Sequence, residues 1–350
     1  MNNLTFDDFM NIFYYLDNCD RISFLSTKIY YHSLKNIFFY NNYVYVSQIK
    51  HLTYRNQFTD VIINNLEELS NLSNNVIHLA FGHAFNQDIK GCIPNKITHL
   101  TFGYWFNQDI RECIPNNVTH LSFGHFFNQD IKGCILNSVT HLIFGDRFNQ
   151  DIKGCITGNI THLKFGNNFD QDIKDCIPNS VIHLIFGDLF NKDIKGCIPN
   201  SVTHLTLGTY FDKDIKYCIL NSVTHLTLGN CFNRNIKDCI PNSVTHLTIG
   251  NCFNKNIKNY IPNTVTHLTF GHFFDEDIKD CIPNTVTHLT FGYHFNKDIK
   301  DCIPNSVTHL TLGNCFDQNI KDCIHDGLIQ LNISKKYSKE VPDKCEIIRF

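Results

Sequence analysis

Twelve histidines recur at a fixed interval of 21 residues: His78, His99, His120, His141, His162, His183, His204, His225, His246, His267, His288 and His309. A unit this short is too small for a helix pair or a propeller blade. It matches one coil of a leucine-rich-repeat-like solenoid, whose repeats run about 20–29 residues. One copy reads VTHLTLGNCFNRNIKDCIPNS, residues 223–243. Counted from its first Val, position 1 is Val or Ile, position 4 Leu, and position 6 Phe, Leu or Ile. Position 7 is always Gly, position 10 always Phe, and positions 14 and 18 always Ile. Thr-His-Leu-Thr is a short strand with alternating faces, so Leu at 4 and the apolar residue at 6 point inward while His at 3 and the residue at 5 point out. Gly at 7 ends the strand, either by taking a positive φ or by letting backbone pass closely. Pro-Asn-Ser or Pro-Asn-Thr at 19–21 turns the chain back toward the next strand. Stacked coils then give one short parallel strand per coil, about 4.8 Å from its neighbour. A single coil buries too little to offset its own ordering, so coils are stable only as a stack.

The array proper spans residues 76–327. A divergent coil or cap precedes it at 46–75, with a frayed copy, IKHLTYRNQF, at 49–58. A half repeat, LIQLNIS at 328–334, and a tail to residue 350 follow. Atypical ends are what a stack of open coils requires. The net charge is −3, which gives no global reason to expect nucleic acid or anionic membrane as partner. No apolar run reaches the roughly 18 residues of a membrane span, and the opening MNNLTFDDFM lacks a secretory pattern. With no secretion signal, the 16 cysteines are read as thiols of a reducing, intracellular compartment.

The repeat resembles a known family. FNQDIKGCIP, with Phe-Asn at positions 10–11 and Ile-Pro at 18–19, is similar to the FNIP repeat of amoebae and the giant viruses that infect them. That resemblance implies a host-cytoplasmic setting. Departures include Leu136, Thr157 and Leu220 in place of Pro, and Asp170, Asp212, Asp275 and Asp317 in place of Asn at 11.

Residues 1–45 do not repeat. LTFDDFMNIFYYLD places Phe9, Ile12, Phe13 and Leu16 at helical spacing, with Thr5 and Asp8 fitting a capping box. Asp20 can cap a second helix carrying Phe24 and Leu25, and Tyr30, Leu34, Ile37 and Phe38 suggest a third. The segment resembles an F-box: Leu4, Asp7, Ile12 and Leu16 fall on that family's Leu, acid, Ile and Leu, although Thr5 replaces its usual proline and the acid is Asp. The resemblance implies that Leu4, Phe9, Ile12 and Leu16 form the apolar surface that docks a Skp1-type adaptor of a cullin ubiquitin ligase. The other reading is a small all-α cap over the first coil.

In a stack every coil position becomes a column. Neighbouring imidazoles at about 5 Å run in a line, whereas zinc needs ligands that converge, so the histidine column reads as structural and should resist full protonation. The cysteines at 17, from Cys92 to Cys323 with Tyr260 interrupting, adjoin the buried Ile at 18 and carry no C-x-x-C spacing. They read as small thiols near an edge of the interior. Position 15 is always Lys or Arg, but position 13 is Asp or Asn, which suggests a charge-balanced solvated face rather than a phosphate-tracking groove. Asn or Asp at 11 suggests an amide ladder or a local turn cap.

Positions 8 and 9 vary most, so they are free of structural duty and open to a partner. Tyr104, Trp105 and Phe126 cluster there in adjacent coils, and Phe273, Tyr293 and His294 form a second set. These six are the candidate target-binding residues, aromatic groups being frequent interface anchors; edge packing against the next coil is the alternative reading. No phosphate-binding, nucleophile-elbow or HExxH motif occurs, and residues repeated twelve times make a poor single active site. The expected protein is a non-enzymatic monomer without cofactor or metal. It would act as an adaptor that carries an unknown target protein to a Skp1-like partner. The alternatives are an interaction scaffold without a ubiquitin link, and metal or redox buffering through the His and Cys columns.

Overall fold

The computed structural model describes residues 16, 20, 21, 23, 40 and 43–350 except 157, 322 and 344. The chain forms two compact units, residues 1–139 and 140–350. In the first, β1 (Val44–Tyr45), β2 (Asp60–Ile63), β3 (His78–Phe81), β4 (His99–Thr101) and β5 (His120–Ser122) pair in order, all parallel. A one-turn helix, α1 (Val46–Ile49), leaves β1. In the second, β6 to β14 are three-residue strands that begin at His141, His162, His183, His204, His225, His246, His267, His288 and His309. They are followed by β15 (Gln330–Ile333) and β16 (Glu346–Arg349), again parallel and in order. Within each unit the register sets His on His and Leu on Leu, as in His225↔His246 and Leu226↔Leu247. Each unit is therefore a leucine-rich-repeat-like parallel β-solenoid, with a 21-residue rung inside the array and shorter rungs at the ends, where Val44 pairs with Val61, Asp60 with His78 and Gln330 with Glu346.

Three tight turns complete each coil. The Phe at 10 donates its N–H to the Gly carbonyl at 7, as in Phe232 to Gly229 at 3.0 Å. Position 17 donates to 14, as in Cys239 to Ile236 at 3.0 Å, and position 1 to 19, as in Val244 to Pro241 at 3.1 Å. The middle turn puts position 16 at positive φ, the i+2 requirement of a type II turn. Gly91, Gly133, Gly154 and Gly196 supply it in four coils. Glu112, Asp175, Tyr217, Asp238, Asn259, Asp280 and Asp301 occupy the same left-handed region in others.

The invariant Gly at 7 has a different cause. Its φ is not positive. Instead, a Cβ built on it would lie 1.8–2.1 Å from the carbonyl oxygen of the glycine one coil earlier, as for Gly229 over Gly208 and Gly124 over Gly103. Of the two explanations the sequence allows, close backbone passage is the one observed. The caps differ: Asn64 precedes Gly82 in this column, and Ser334 follows Gly313.

Inside, positions 1, 4, 6, 10, 14 and 18 form buried columns, with Phe106, Phe127, Phe232 and Phe253 fully enclosed. Phe rings repeat up the stack, Phe81 to Phe102 and Phe102 to Phe123 each at 5.4 Å. Position 11 forms the ladder suggested by its sequence. Its side-chain oxygen accepts the N–H of position 11 in the next coil, as from Asn107 to Asn86 at 2.9 Å. Only an acceptor is needed, so Asp serves as well as Asn. Its identity is matched across coils. Gln108 Nε2 donates to Asn86 Oδ1 at 3.1 Å. Where Asp stands at 11, position 12 of the next coil is basic and pairs with it: Asp170–Lys192, Asp212–Arg234, Asp275–Lys297 and Asp317–Lys339, at 2.9–3.3 Å.

The ends depart from the sequence reading. Residues 49–58 hold the end of α1 and a 3₁₀ turn at Arg55–Gln57, while the strand that stacks on the array is β2, Asp60–Ile63. Asp60 replaces the column histidine there and pairs in register with His78. The half repeat at 328–334 is longer than its motif. Tyr337 takes the place of the core Phe and stacks on Phe316 at 6.2 Å, and Lys339 continues the ion-pair pattern. Among the proposed docking residues, Leu4, Phe9 and Ile12 lie outside the described residues; Leu16 is half-buried. Asp20, Arg21 and Ser23 are helical.

Candidate functional site

Positions 8 and 9 are the central residues of the turn from Gly to Phe. Glycine's close approach and the Phe anchor hold this turn against the coil beneath. Position 9 donates its N–H to the carbonyl of position 8 one coil earlier: Trp105 to His83 at 3.1 Å, Phe126 to Tyr104 at 3.0 Å, Phe273 to Asn251 at 2.9 Å, His294 to His272 at 3.0 Å. The two most variable side chains of each coil are thus held in register and stand in two parallel columns outside the core.

In the first unit His83, Tyr104 and His125 stack face to face at 4.7 and 4.6 Å. Beside them Trp105 stacks on Phe126 at 4.1 Å, with Tyr104 edge-on to both at 5.4 Å. In the second unit His272 stacks on Tyr293 at 4.9 Å and Phe273 on His294 at 5.2 Å. All six sequence candidates are brought into one of these two ring clusters. Tyr104, Trp105, Phe273 and Tyr293 remain 39, 47, 50 and 38 % exposed, so ring stacking leaves much of each side chain in solvent. The arrangement combines rigid rings with polar tips, which is the chemistry of an interface anchor.

Sequence reasoning missed a feature on the sheet face of the second unit. Position 5 is Thr in β9 to β14, but Ile143, Lys164 and Ile185 occupy it in β6, β7 and β8. Ile143 and Ile185 are exposed and flank Lys164 across the strand ladder, and Ile182, Leu189 and Tyr210, at other coil positions, are exposed as well. The break in the Thr column was the available signal.

The other columns are structural. Successive imidazoles from His141 to His309 stack at 4.1–4.3 Å. Nδ1 faces the preceding Thr hydroxyl, as in His246 with Thr245 at 2.9 Å. Burial, and then the neighbouring imidazoles, push the pKa of His162, His204, His246, His267 and His288 down. The column begins on a carboxylate the sequence reading overlooked: buried Asp60 lies 2.8 Å from His78 Nδ1. Burial raises the Asp60 pKa, and His78 opposes the shift. The thiols at position 17 donate to carbonyls of their own coil, as Cys239 to Lys237 at 3.3 Å. Burial first, then nearby carboxylates, drives Cys113 and Cys218 up to about 11. Most of these thiols are buried but not sealed, and Tyr260 is half-buried, which puts the column at the periphery of the interior. Asp or Asn at 13 accepts the backbone N–H of position 15, as Asp193 from Lys195 at 2.9 Å, so an Asx turn accounts for that column more directly than charge balance.

A leucine-rich-repeat-like β-solenoid with exposed side chains on a fixed scaffold is a protein-binding class of fold, typically not enzymatic. The family model of the FNIP repeat matches eight segments: 68–105, 85–126, 106–147, 127–153, 148–189, 190–231, 232–273 and 274–315. The chain belongs to the FNIP repeat family. It is also similar to CroV588, whose crystal structure is described as a novel circular LRR protein structure, with 38% identity and a TM-score of 0.69. The match covers 88% of this chain and 51% of CroV588, so the chain spans about half the length of that protein. No curated protein matches the chain. Among the described residues no helix is long and apolar enough to cross a membrane.

Proposed function

We propose that the chain is a target-recognition adaptor that captures a protein through its two aromatic clusters. The observation that carries this is the columnar stacking of Tyr104, Trp105 and Phe126, and of Phe273, Tyr293 and His294, at positions with no part in the core. The N-terminal segment then docks a Skp1-type adaptor through Leu4, Phe9, Ile12 and Leu16, as its F-box resemblance implies, and so links the target to ubiquitin transfer in the host cytoplasm. Affinity capture from host extract tests the first half. Trp105→Ala with Phe126→Ala, or Phe273→Ala with Tyr293→Ala, should release the captured target at unchanged thermal stability; retention of the target by both pairs contradicts the reading. Pull-down of a Skp1-type protein tests the second half. Binding should vanish with Ile12→Asp plus Leu16→Asp, and binding indifferent to that pair removes the ubiquitin link.

A second reading has its own support. Buried Tyr40, at the end of the N-terminal segment, stacks on Phe58 at 4.9 Å and bridges to it in parallel. This contact suits a cap that closes the first coil of an interaction scaffold with no ubiquitin connection. Full-length protein that captures its target but no Skp1-type partner supports this version.

A further inference from the structure

The ring cluster of the first unit lies in a band of coil without formal charge. From position 2 to position 12 its three coils read IHLAFGHAFNQ at 77–87, THLTFGYWFNQ at 98–108 and THLSFGHFFNQ at 119–129. None contains Asp, Glu, Lys or Arg, and His and one Tyr are their only ionisable side chains. The next acids along each coil, Asp88, Asp109 and Asp130, accept the N–H of position 15 at 2.9 Å and so are committed to their own turns. In the preceding coil Asp60 is buried against His78. The following coil, in the second unit, carries one charge of each sign at positions 8 and 9, Asp146 and Arg147.

Within this band the rings turn their faces on one another. His83 and Tyr104 are parallel within 6°, Tyr104 and His125 within 9°, and Trp105 and Phe126 within 11°. An aromatic ring is electron-rich on its face and electron-poor at its edge. A cation is held by the face, and in these columns the faces are engaged with other rings. What a partner meets is chiefly ring edges and polar tips. The Tyr104 hydroxyl, the Trp105 indole N–H and the His83 imidazole have no hydrogen-bond partner among the described residues. The ladder histidines of the same unit differ, since His99 and His120 each set Nδ1 against a Thr hydroxyl, at 3.0 and 2.9 Å. An indole N–H can only donate, and an ionised carboxylate can only accept. Bonds to such a charged acceptor are the stronger kind. Unengaged donors, electron-poor edges and the absence of a competing acid all favour a negative partner over a positive one.

We propose that the first cluster recognises an acidic segment of its target, whose Asp or Glu carboxylates accept from Tyr104 and Trp105. The inference rests on the reading of the clusters as protein-binding sites and adds the chemistry of the partner.

The test pans a random peptide library displayed on phage against the full-length protein, with Trp105→Ala plus Phe126→Ala in parallel. Sequences enriched by the wild type and lost with the double variant should carry an excess of Asp and Glu over Lys and Arg, relative to the unselected library. A selected acidic peptide can then be titrated against the emission of Trp105, the only tryptophan in the chain. It should bind about tenfold more weakly to Tyr104→Phe, which keeps the ring and loses the O–H. Its affinity for the wild type should fall with added salt. Circular dichroism of each variant separates loss of the site from loss of fold. Cluster-dependent sequences that are rich in Lys and Arg, or have no charge bias, overturn the proposal and leave the protein-binding reading standing, as does undiminished affinity for Tyr104→Phe. If no enriched sequence depends on the cluster, the proposal falls together with the first cluster as a binding site.

Discussion

Two columns of the coil carry glycine for opposite reasons. Within the array position 7 has an ordinary φ and is never anything but Gly. Position 16 has a positive φ and is Gly in only some coils, with Asp, Asn, Glu and even Tyr in others. Backbone conformation alone would predict the reverse. The difference lies in the neighbour: a Cβ at Gly229 would meet the Gly208 carbonyl at 2.0 Å, while a Cβ at Gly196 meets nothing within 4 Å. A left-handed residue costs about 1–2 kcal/mol and can be tolerated; a side chain inside a backbone contact cannot. In this molecule invariance reports what the next coil leaves room for.

That contrast can be broken by substitution. Gly229→Ala should destabilise the second unit by about 3 kcal/mol or more, since no flexible group can yield. Chemical denaturation reads this as a lowered midpoint, and a loss below 1 kcal/mol would place the cause of invariance elsewhere. Gly196→Ala should cost only about 1 kcal/mol, the left-handed penalty without a clash. The reverse change is sharper. Tyr217 sits at φ 62° with 73 % of its surface exposed, so Tyr217→Gly should stabilise by about 0.5–1 kcal/mol despite glycine's freedom in the unfolded chain.

A pH titration probes the columns as a whole. The folded pKa values of His162, His204, His246, His267 and His288 are depressed, so the unfolded chain binds more protons as pH falls. Their contribution is complete above the ordinary imidazole value of about 6.5 and is lost progressively below it. Asp60, with a raised pKa, acts in the opposite sense, near and above the ordinary carboxylate value. The melting temperature should therefore fall between pH 6.5 and 5, and replacing several of these histidines with Gln should flatten the slope. The smallest effect belongs to the exposed ion pairs. Asp212→Asn keeps the acceptor for the Asn233 N–H and loses only the pair with Arg234, which should cost less than about 0.5 kcal/mol and vanish at high salt.

The repeat made most of the coil legible from sequence. Alternation around Leu at 4, the Phe at 10 and the two Ile columns gave inside and outside, because those positions answer only to the coil's own interior. What escaped depends on neighbours or on single coils. The left-handed turn at 16 was hidden because Glu112 and Tyr217 break the Gly, Asn and Asp signature. β2 was hidden because Asp60 stands in place of the column histidine. The Asp–basic matching between positions 11 and 12 spans two coils and is visible only once the coils are stacked. The ring clusters were legible as lists of aromatic residues, but their face-to-face columns follow from the turn geometry that Gly and Phe impose.

Native-state hydrogen exchange on Gly229→Ala tests the shared-interior account most directly. If rungs hold one another in place, protection should fall together in β9, β10 and β11, on both sides of the substituted coil. Loss confined to the amides of the substituted coil, with β9 and β11 as protected as in the wild type, would contradict it.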